Sequence, residues 1–565
     1  MQITENKPKM STGTRADQII SRYNMLKGLR SNFESYWQTL HDYFYIEAQD
    51  INTGYYPGSE LNVNKLYDSS TLESADVLAS GFMNYLTPPT SKWFALKSKE
   101  FSMVDNKPVN KFLEDIADEV NYTLNRSNFY NQIIASYKSS GVYGTSVLLE
   151  EEDDQEGVRF YCIPIKQVCI AEDGNGRVGE YYIEFEYTAY QAADKFGAEN
   201  LSTDLQRELL PENKTEKTHK FILFIGKRYK RDIRKQDKKN LPVEATWVEC
   251  GAKKIVNESG YNEFPAMCHR FDKRPFIQWG FSPAMKALPF ARILNAIAKT
   301  NLRSMMKHTD PPVAIPNNAF IMPFNSNPRA VNYYDPTKMQ GGKSDIFSFA
   351  NNGNPDVGMG ALEYYTQRVK ALMYTDAFLA FDNITKQMNN PEVMERINEK
   401  MSMLGPAVGR YISEMLNPII IRTIGVLWRK GALPEPPEEF MVNPSYEIEC
   451  VSQLAQAQRR SELNSLVSGL SMVGQIAQFV PDALDKIDTD AAVDEAWNII
   501  GAPSKVLRND DVLIKLREAK AAMAEQQAQM DMLQQGADVV KKGSEVDVNL
   551  AKKDAGNDTN KFRRG

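Results

Sequence analysis

The hydrophobic period of the chain changes twice, and this limits its architecture more than any single motif. From residue 13 to about 138, apolar residues recur at steps of three and four, the mark of amphipathic helices. From about Gly144 to Gly280 they fall in short β-prone runs between Gly, Asn, Asp and charged turns. Helical spacing returns at Pro283 and persists, with interruptions, toward the C-terminus. A chain of 565 residues written this way predicts a predominantly helical α+β protein with an embedded β region.

The first helix is expected over 13–48, with Ile19, Ile20, Tyr23, Leu26, Leu29, Phe33 and Trp37 as its apolar positions. A second runs from about Ser69 to Leu86 and stops at Pro88-Pro89. A third is expected over about 107–138. The β region reads as a small mixed or barrel-like domain, interrupted by a short helix near Ala189–Phe196. Two charge runs punctuate it. Glu150–Glu156 holds six acids in seven residues, and Lys227–Lys239 holds eight bases against Asp232 and Asp237. Both are expected to be solvated hairpin tips or edges.

Pro283 opens a helix to about Lys307, ended by Asp310-Pro311-Pro312. Residues 311–357 are rich in Pro, Asn and Gly. That is long for a structureless loop, so a small functional insertion with short strands is expected. Helix resumes from about Gly360 to Leu379, followed by the polar gap FDNITKQMNN. Asn390, Pro391 and Glu392 suit the cap and first turn of the next helix. Its stripe is Ile397, Met401, Leu404, Val408, Ile412, Met415 and Ile419, with Gly405-Pro406 expected to kink it. Arg429, Lys430, Gly431 and Pro434 stop it. A strand over Tyr446–Val451 precedes a helical C-terminal region. There Leu516, Ala519, Met523, Gln526, Met530 and Leu533 suggest a helix packed against copies of itself. Residues 542–565 have the composition of a disordered tail.

Several chemistries find little support. Gly341-Gly342-Lys343-Ser344 resembles the end of a phosphate-binding loop, but Thr337 stands where that loop needs glycine. His269 and His308 each sit alone, and no acid set is compelling for a metal-dependent nuclease. None of the four histidines lies at metal-ligand spacing, and the five cysteines lack a CxxC. Reduced, buried thiols of a cytosolic protein are therefore expected, with no catalytic residue, metal or cofactor. The apolar run Pro418–Trp428 is too short for a membrane span and carries Arg422. The polar N-terminus lacks the apolar core of a secretory signal.

Three long blocks are more specific: LYDSSTLESADVLASGFMNYLTPPTSKWFAL (66–96), GFSPAMKALPFARILNAIAKTNLRSMMKHTDPPVAIP (280–316) and EVMERINEKMSMLGPAVGRYISEMLNPIIIRTIGVLWRKGALPEPP (392–437). In content and order they resemble the portal, or head-to-tail connector, proteins of short-tailed, podovirus-like bacteriophages. The resemblance covers most of residues 13–452; beyond 453 the chain is similar only in being helical. It implies a portal fold assembling as a closed ring of twelve subunits around a DNA channel. The implied parts are an N-terminal wing with a β-rich subdomain (1–281), a first stem helix (282–309), a clip (310–357) and a second stem helix (358–379). They continue with a channel loop (380–391), a kinked helix returning to the wing (392–452), a helical crown (453–541) and the tail 542–565.

That resemblance implies a non-catalytic ring at one capsid vertex of the virion, made in the host cytoplasm. It would conduct the genome during packaging and ejection. Its implied partners are its own copies, double-stranded DNA held without sequence specificity, the terminase packaging motor, tail adaptor proteins, and the major capsid and scaffolding proteins; no membrane is involved. Asn383, Thr385, Lys386, Gln387, Asn389 and Asn390 would form the channel loop, whose small polar groups touch phosphates without reading bases. The first stem helix carries Lys286, Arg292, Lys299, Arg303 and Lys307 and no acid. The last four fall within an arc of about 80° on a helical projection. They form a basic stripe that either meets DNA or pairs with acids of a neighbouring subunit. A tail or adaptor ring component and a nucleic-acid-processing enzyme are the competing readings. The stem–clip–stem order followed by a channel loop favours the portal over the first of these.

Overall fold

A computed structural model describes residues 14–48, 50–52, 66–99, 106–210, 216–235, 237–309, 313–314, 333, 335, 347–348, 355–384, 404–442, 445–450, 466–475, 492–493, 496, 513–523 and 526–527. The chain divides into two compact units, 1–100 with 112–456, and 101–111 with 457–565. In the second unit, residues 466–475 and 513–523 are helical. The expected tail 542–565 lies outside the described residues.

Helix α1 (Arg15–Phe44) starts at a capping box in which Thr14 Oγ1 accepts from Asp17 N and Asp17 accepts from Thr14 N. Its buried line is Ile19, Tyr23, Leu26, Arg30, Trp37, Leu40 and Phe44. Leu29, expected inside, is exposed, because the alternating three–four step from Leu26 lands on residue 30 instead. Arg30 tolerates that position because its guanidinium donates to Val168 O at 2.8 Å and pairs with Glu34 at 2.9 Å.

Helix α2 (Ser70–Leu86) leads to strand β1 (Phe94–Ser98), which pairs antiparallel with the distant strand Tyr446–Cys450. The single helix expected over 107–138 is two, α3 (Lys107–Arg126) and α4 (Phe129–Tyr143). Between them, Asn128 turns its amide onto Phe160, accepting from its N and donating to its O at 2.8 Å each. That competition with the helix backbone is typical of asparagine.

The β region is not a barrel. Strands β2 (Thr145–Asp153), β3 (Gly157–Ile163) and β9 (Ala266–Arg270) form one sheet in the order β3-β2-β9. Strands β4 (Val168–Glu172), β5 (Val178–Thr188), β6 (Thr218–Lys227), β7 (Val243–Glu249) and β8 (Lys254–Tyr261) form an antiparallel meander. The short helix α5 (Ala189–Phe196) follows β5 as expected, and α6 (Thr203–Glu208) follows it. Ile19, Tyr23 and Leu26 of α1 pack with Tyr182, Ile222, Phe224 and Val248 of the meander.

The two charge runs part ways. The bases of Lys227–Lys239, at the end of β6 and along its connection to β7, are exposed as expected, except Arg228, whose side chain is 8% exposed. The acidic run caps the β2–β3 hairpin, but Glu150 is fully buried, which corrects the expectation that the whole run is solvated. The helix Asn417–Arg429 covers Glu150, whose carboxyl Oε1 accepts from Thr423 Oγ1 at 3.0 Å. Arg422, also fully buried, donates to the Glu150 carbonyl at 3.2 Å.

Burial pushes the Glu150 carboxyl up to about 8, although Arg422 and Thr423 pull the other way. The unfolded chain releases this proton near the ordinary value of 4.5, so between about 4.5 and 8 only the folded state holds it. Stability therefore falls as pH rises through that window, by up to roughly 1.4 kcal/mol per pH unit. Glu150→Gln is expected to flatten this slope, read as melting temperature from pH 5 to 8. Parallel profiles for the two proteins would contradict it.

Candidate stem hairpin and nucleic-acid interface

Helix α7 (Pro283–Thr309) is started by Ser282, whose Oγ accepts from Met285 N at 3.0 Å and donates to Val142 O at 2.7 Å. Pro289 inside the helix cannot donate to Met285 O. Tyr36 OH of α1 donates to that carbonyl at 3.3 Å, so the proline site also ties α7 to α1. Trp37 of α1 meets Trp279 edge-on at 4.9 Å just before α7 begins.

Helix α8 (Pro355–Leu372) runs antiparallel to α7. Phe290, early in α7, meets Tyr365 and Arg368, late in α8, at 6.3 and 5.6 Å. Gly358, early in α8, lies so close to Asn301, late in α7, that a Cβ would stand 2.1 Å from its Oδ1. The 310–354 segment therefore leaves and re-enters at one end of a helical hairpin. Near its ends, Val313 pairs with Ser348 and Ala314 with Phe347, antiparallel. The expected short strands exist; most of the rest of this segment lies outside the described residues.

The four bases of the expected stripe all lie on α7. Arg292, Arg303 and Lys307 are exposed on α7. Lys299 is half-buried, with Nζ 5.1 Å from the centre of the Tyr67 ring. The hairpin also exposes Ile293, Leu302, Met305 and Met306 on α7, and Met359 and Tyr364 on α8.

The helix expected over 358–379 is broken. Helix α8 ends at Leu372, Tyr374 takes a left-handed conformation (φ 58°), and α9 (Thr375–Ile384) begins. Tyrosine is disfavoured there, and no glycine or proline announced the break. Phe378 of α9 packs against Phe82 of α2 at 5.6 Å and lies over Gly81, where a Cβ would stand 2.3 Å from the ring. Helix α9 carries Asn383, so that residue is helical and not part of a loop beginning at 380. Thr385, Lys386, Gln387, Asn389 and Asn390 lie outside the described residues.

Gly405 and Pro406 open the helix Gly405–Tyr411, with proline in its first turn. Residues 391–403, which the expected kink needs on the other side, are outside the described residues. The irregularity that is described comes later. Ile412–Leu416 form a π turn, with Asn417 N donating to Ile412 O, before the helix Asn417–Arg429. Pro418 is the local signal for it: a wider turn relieves the clash of its ring with the carbonyl four residues back. Gly431 (φ 66°) ends that helix as expected, with Ala432 N donating to Leu427 O at 3.0 Å.

Two titratable clusters were not anticipated. Ser140 Oγ lies 2.7 Å from His269 Nδ1, and the imidazole stacks on Tyr411 at 3.5 Å. The group is fully buried, and burial holds the imidazole well below its usual range, so it stays neutral and packs as core. His41, Asp42 and Asp50 also bring their ligand-type atoms within 4.8 Å of one another. Gln38 Nε2 donates to both carboxylates, at 2.9 and 2.8 Å, and thereby clasps the end of α1. The five cysteines are free thiols, two of them buried.

Residues 16–507 match the family model described as bacteriophage head to tail connecting protein. The chain is 31% identical over 538 residues to the portal protein of Salmonella phage epsilon15, covering 94% of this chain and 96% of that protein. It is 30% identical over 549 residues to the probable portal protein of Bordetella phage BPP-1, covering 95% and 97%. With its helical hairpin and strand-closed insertion, the chain belongs to the family of bacteriophage portal, or head-to-tail connector, proteins.

Proposed function

We propose that twelve copies of this chain close into a ring at one capsid vertex and conduct double-stranded DNA during packaging and ejection. As a portal-family member the chain is structural and non-catalytic. The observation that carries the reading is the α7–α8 hairpin. It bears a basic, acid-free helix face, exposed apolar side chains, and an insertion at one end. Apolar side chains on both helices are unfavourable in water and are satisfied when a neighbouring hairpin covers them. A ring supplies such a neighbour on each side, because head-to-tail contacts close when the rotation between subunits does.

In this reading Arg292, Lys299, Arg303 and Lys307 face the bore as weak phosphate contacts. The channel loop 385–391 narrows the bore, and the 310–357 segment docks the terminase motor and later the tail adaptors. Capsid and scaffolding proteins hold the rim. A formal charge of −6 per chain keeps the assembly from gripping DNA everywhere, so the duplex can slide. Changing Arg292, Lys299 and Arg303 together to Gln is expected to leave rings intact. The dependence of log affinity for DNA on log salt should become shallower by roughly 0.9 for each phosphate no longer neutralised, with weaker retention of packaged DNA. Unchanged affinity, salt dependence, packaging and retention would remove the stripe from the mechanism.

A further inference from the structure

The connection between β6 and β7 holds the densest positive charge in the described chain, and its internal bonding leaves that charge free to act outward. Its two acids are used to shape the loop. Asp232 accepts from Arg234 N at 3.1 Å, and its carbonyl accepts from Lys235 N at 3.2 Å. Asp237 accepts from Asn240 Nδ2 at 2.6 Å, and Asn240 Oδ1 in turn accepts from Asp232 N at 3.0 Å. One base, Arg228, is turned inward: it bonds Ser259 O at 2.7 Å and Glu258 at 3.3 Å, and it holds Lys239 O. The loop also sits against Gly260, where a Cβ would stand 2.5 Å from Lys238 O. This is a built projection that presents Lys230, Arg231, Arg234, Lys235, Lys238 and Lys239, all exposed. Among the described residues none of the six is in an ion pair.

We propose that this projection is a second duplex-DNA contact, separate from the stem, that grips phosphates without reading sequence. The choice of DNA over an acidic protein follows from composition. Protein–protein interfaces bury an apolar centre and are depleted in lysine. Here four of the six outward cations are lysine, and the exposed large apolar side chains are only Tyr229 and Ile233. Nucleic-acid interfaces are the polar, strongly positive kind, and closely spaced cations match a backbone carrying one charge per about 1.7 Å of duplex. An edge protected against aggregation needs only exposed charge. It does not require both acids to be turned into the loop's own turns.

The test uses the full chain, a 30-base-pair duplex and fluorescence anisotropy between 50 and 200 mM salt. The quadruple variant Lys230→Gln, Arg231→Gln, Arg234→Gln, Lys235→Gln alters only exposed side chains, and an unchanged melting temperature verifies its fold. Expected is a loss of affinity of about tenfold or more at 50 mM salt. The log–log salt dependence should become shallower by up to about 3.6, equally for two unrelated sequences. The stem variant with Arg292, Lys299 and Arg303 changed to Gln is measured beside it. DNA binding lost only in the stem variant would overturn the loop contact and leave the conduit reading standing. Binding lost only in the loop variant would support the loop contact and count against the basic bore. If poly-L-glutamate of matched charge binds as tightly as DNA and the loop variant loses both equally, the surface takes acidic protein and the DNA assignment is overturned.

Discussion

Gly280→Ala is expected to destabilise the protein by about 3 kcal/mol or more and to leave little folded material at 37 °C. A Cβ at this position would stand 2.1 Å from Gly144 O, 3.0 Å from Gly144 C and 3.1 Å from the Arg270 Cα. All three are backbone atoms, so no side chain can rotate away. The approach is held by hydrogen bonds on each side. Gly280 N donates to Thr145 Oγ1 at 2.9 Å, and Gly144 O accepts from Phe271 N at 2.9 Å. Gly144 itself ends α4 in a left-handed conformation (φ 82°), its N–H bonded to Ser140 O, so the opposing wall cannot retreat. This junction joins the end of α4, the start of β2, the exit of β9 and the entry to α7. An alanine here therefore disturbs the aim of α7 as well as stability. Urea unfolding checks the first effect. A midpoint within error of the parent would show that the contact is looser than the geometry requires.

Arg270→Met is expected to cost about 3 kcal/mol, because it removes the shared cation of two carboxylates. Arg270 is 2% exposed; its guanidinium holds Glu414 at 2.5 Å, reaches Glu172, and donates to Gly176 O at 3.1 Å, while its own N–H donates to Glu414 at 3.0 Å. Glu414 belongs to the π turn, so this one side chain locks the irregular turn to β9 and to the β4–β5 loop. Lys273 pairs with Glu172 at 2.9 Å and compensates on that side only. The double variant Arg270→Met with Glu414→Gln should recover part of the loss, since it no longer strands a carboxylate. Equal stability of parent and single variant in urea would show that the network adds nothing.

The parts of the fold that the sequence disclosed are those where one local signal dominates. Pro283 and the Gly431 stop each act within a turn of the residue concerned, and the structure has each element there. The three–four stripe placed Ile19, Tyr23 and Trp37 inside. It misplaced Leu29 because the position facing inward is an arginine, and what makes Arg30 tolerable is a carbonyl 138 residues away. Glu150 failed for the same reason: its partner is Thr423, and no local pattern connects the two. The breaks at Asn128 and Tyr374 are tertiary as well, set by Phe160 in one case and by the packing of Phe378 on Gly81 in the other. The π turn, by contrast, has a local sign in the sequence, Pro418. At the site, spacing alone put Arg292, Lys299, Arg303 and Lys307 on one face. The antiparallel return of α8, by contrast, needed long-range pairs such as Phe290 with Tyr365. The significance of Asp232 and Asp237 was illegible in a charge count, where they read as partial neutralisation and not as the loop's internal scaffold.

The most direct test of the central claim is the assembled state of the purified full-length chain. Negative-stain electron microscopy with mass determination should show rings with a central hole and a mass near twelve times 64.1 kDa. A species that stays at 64.1 kDa across salt and concentration, and forms no ring when scaffolding and head proteins are added, would contradict the account.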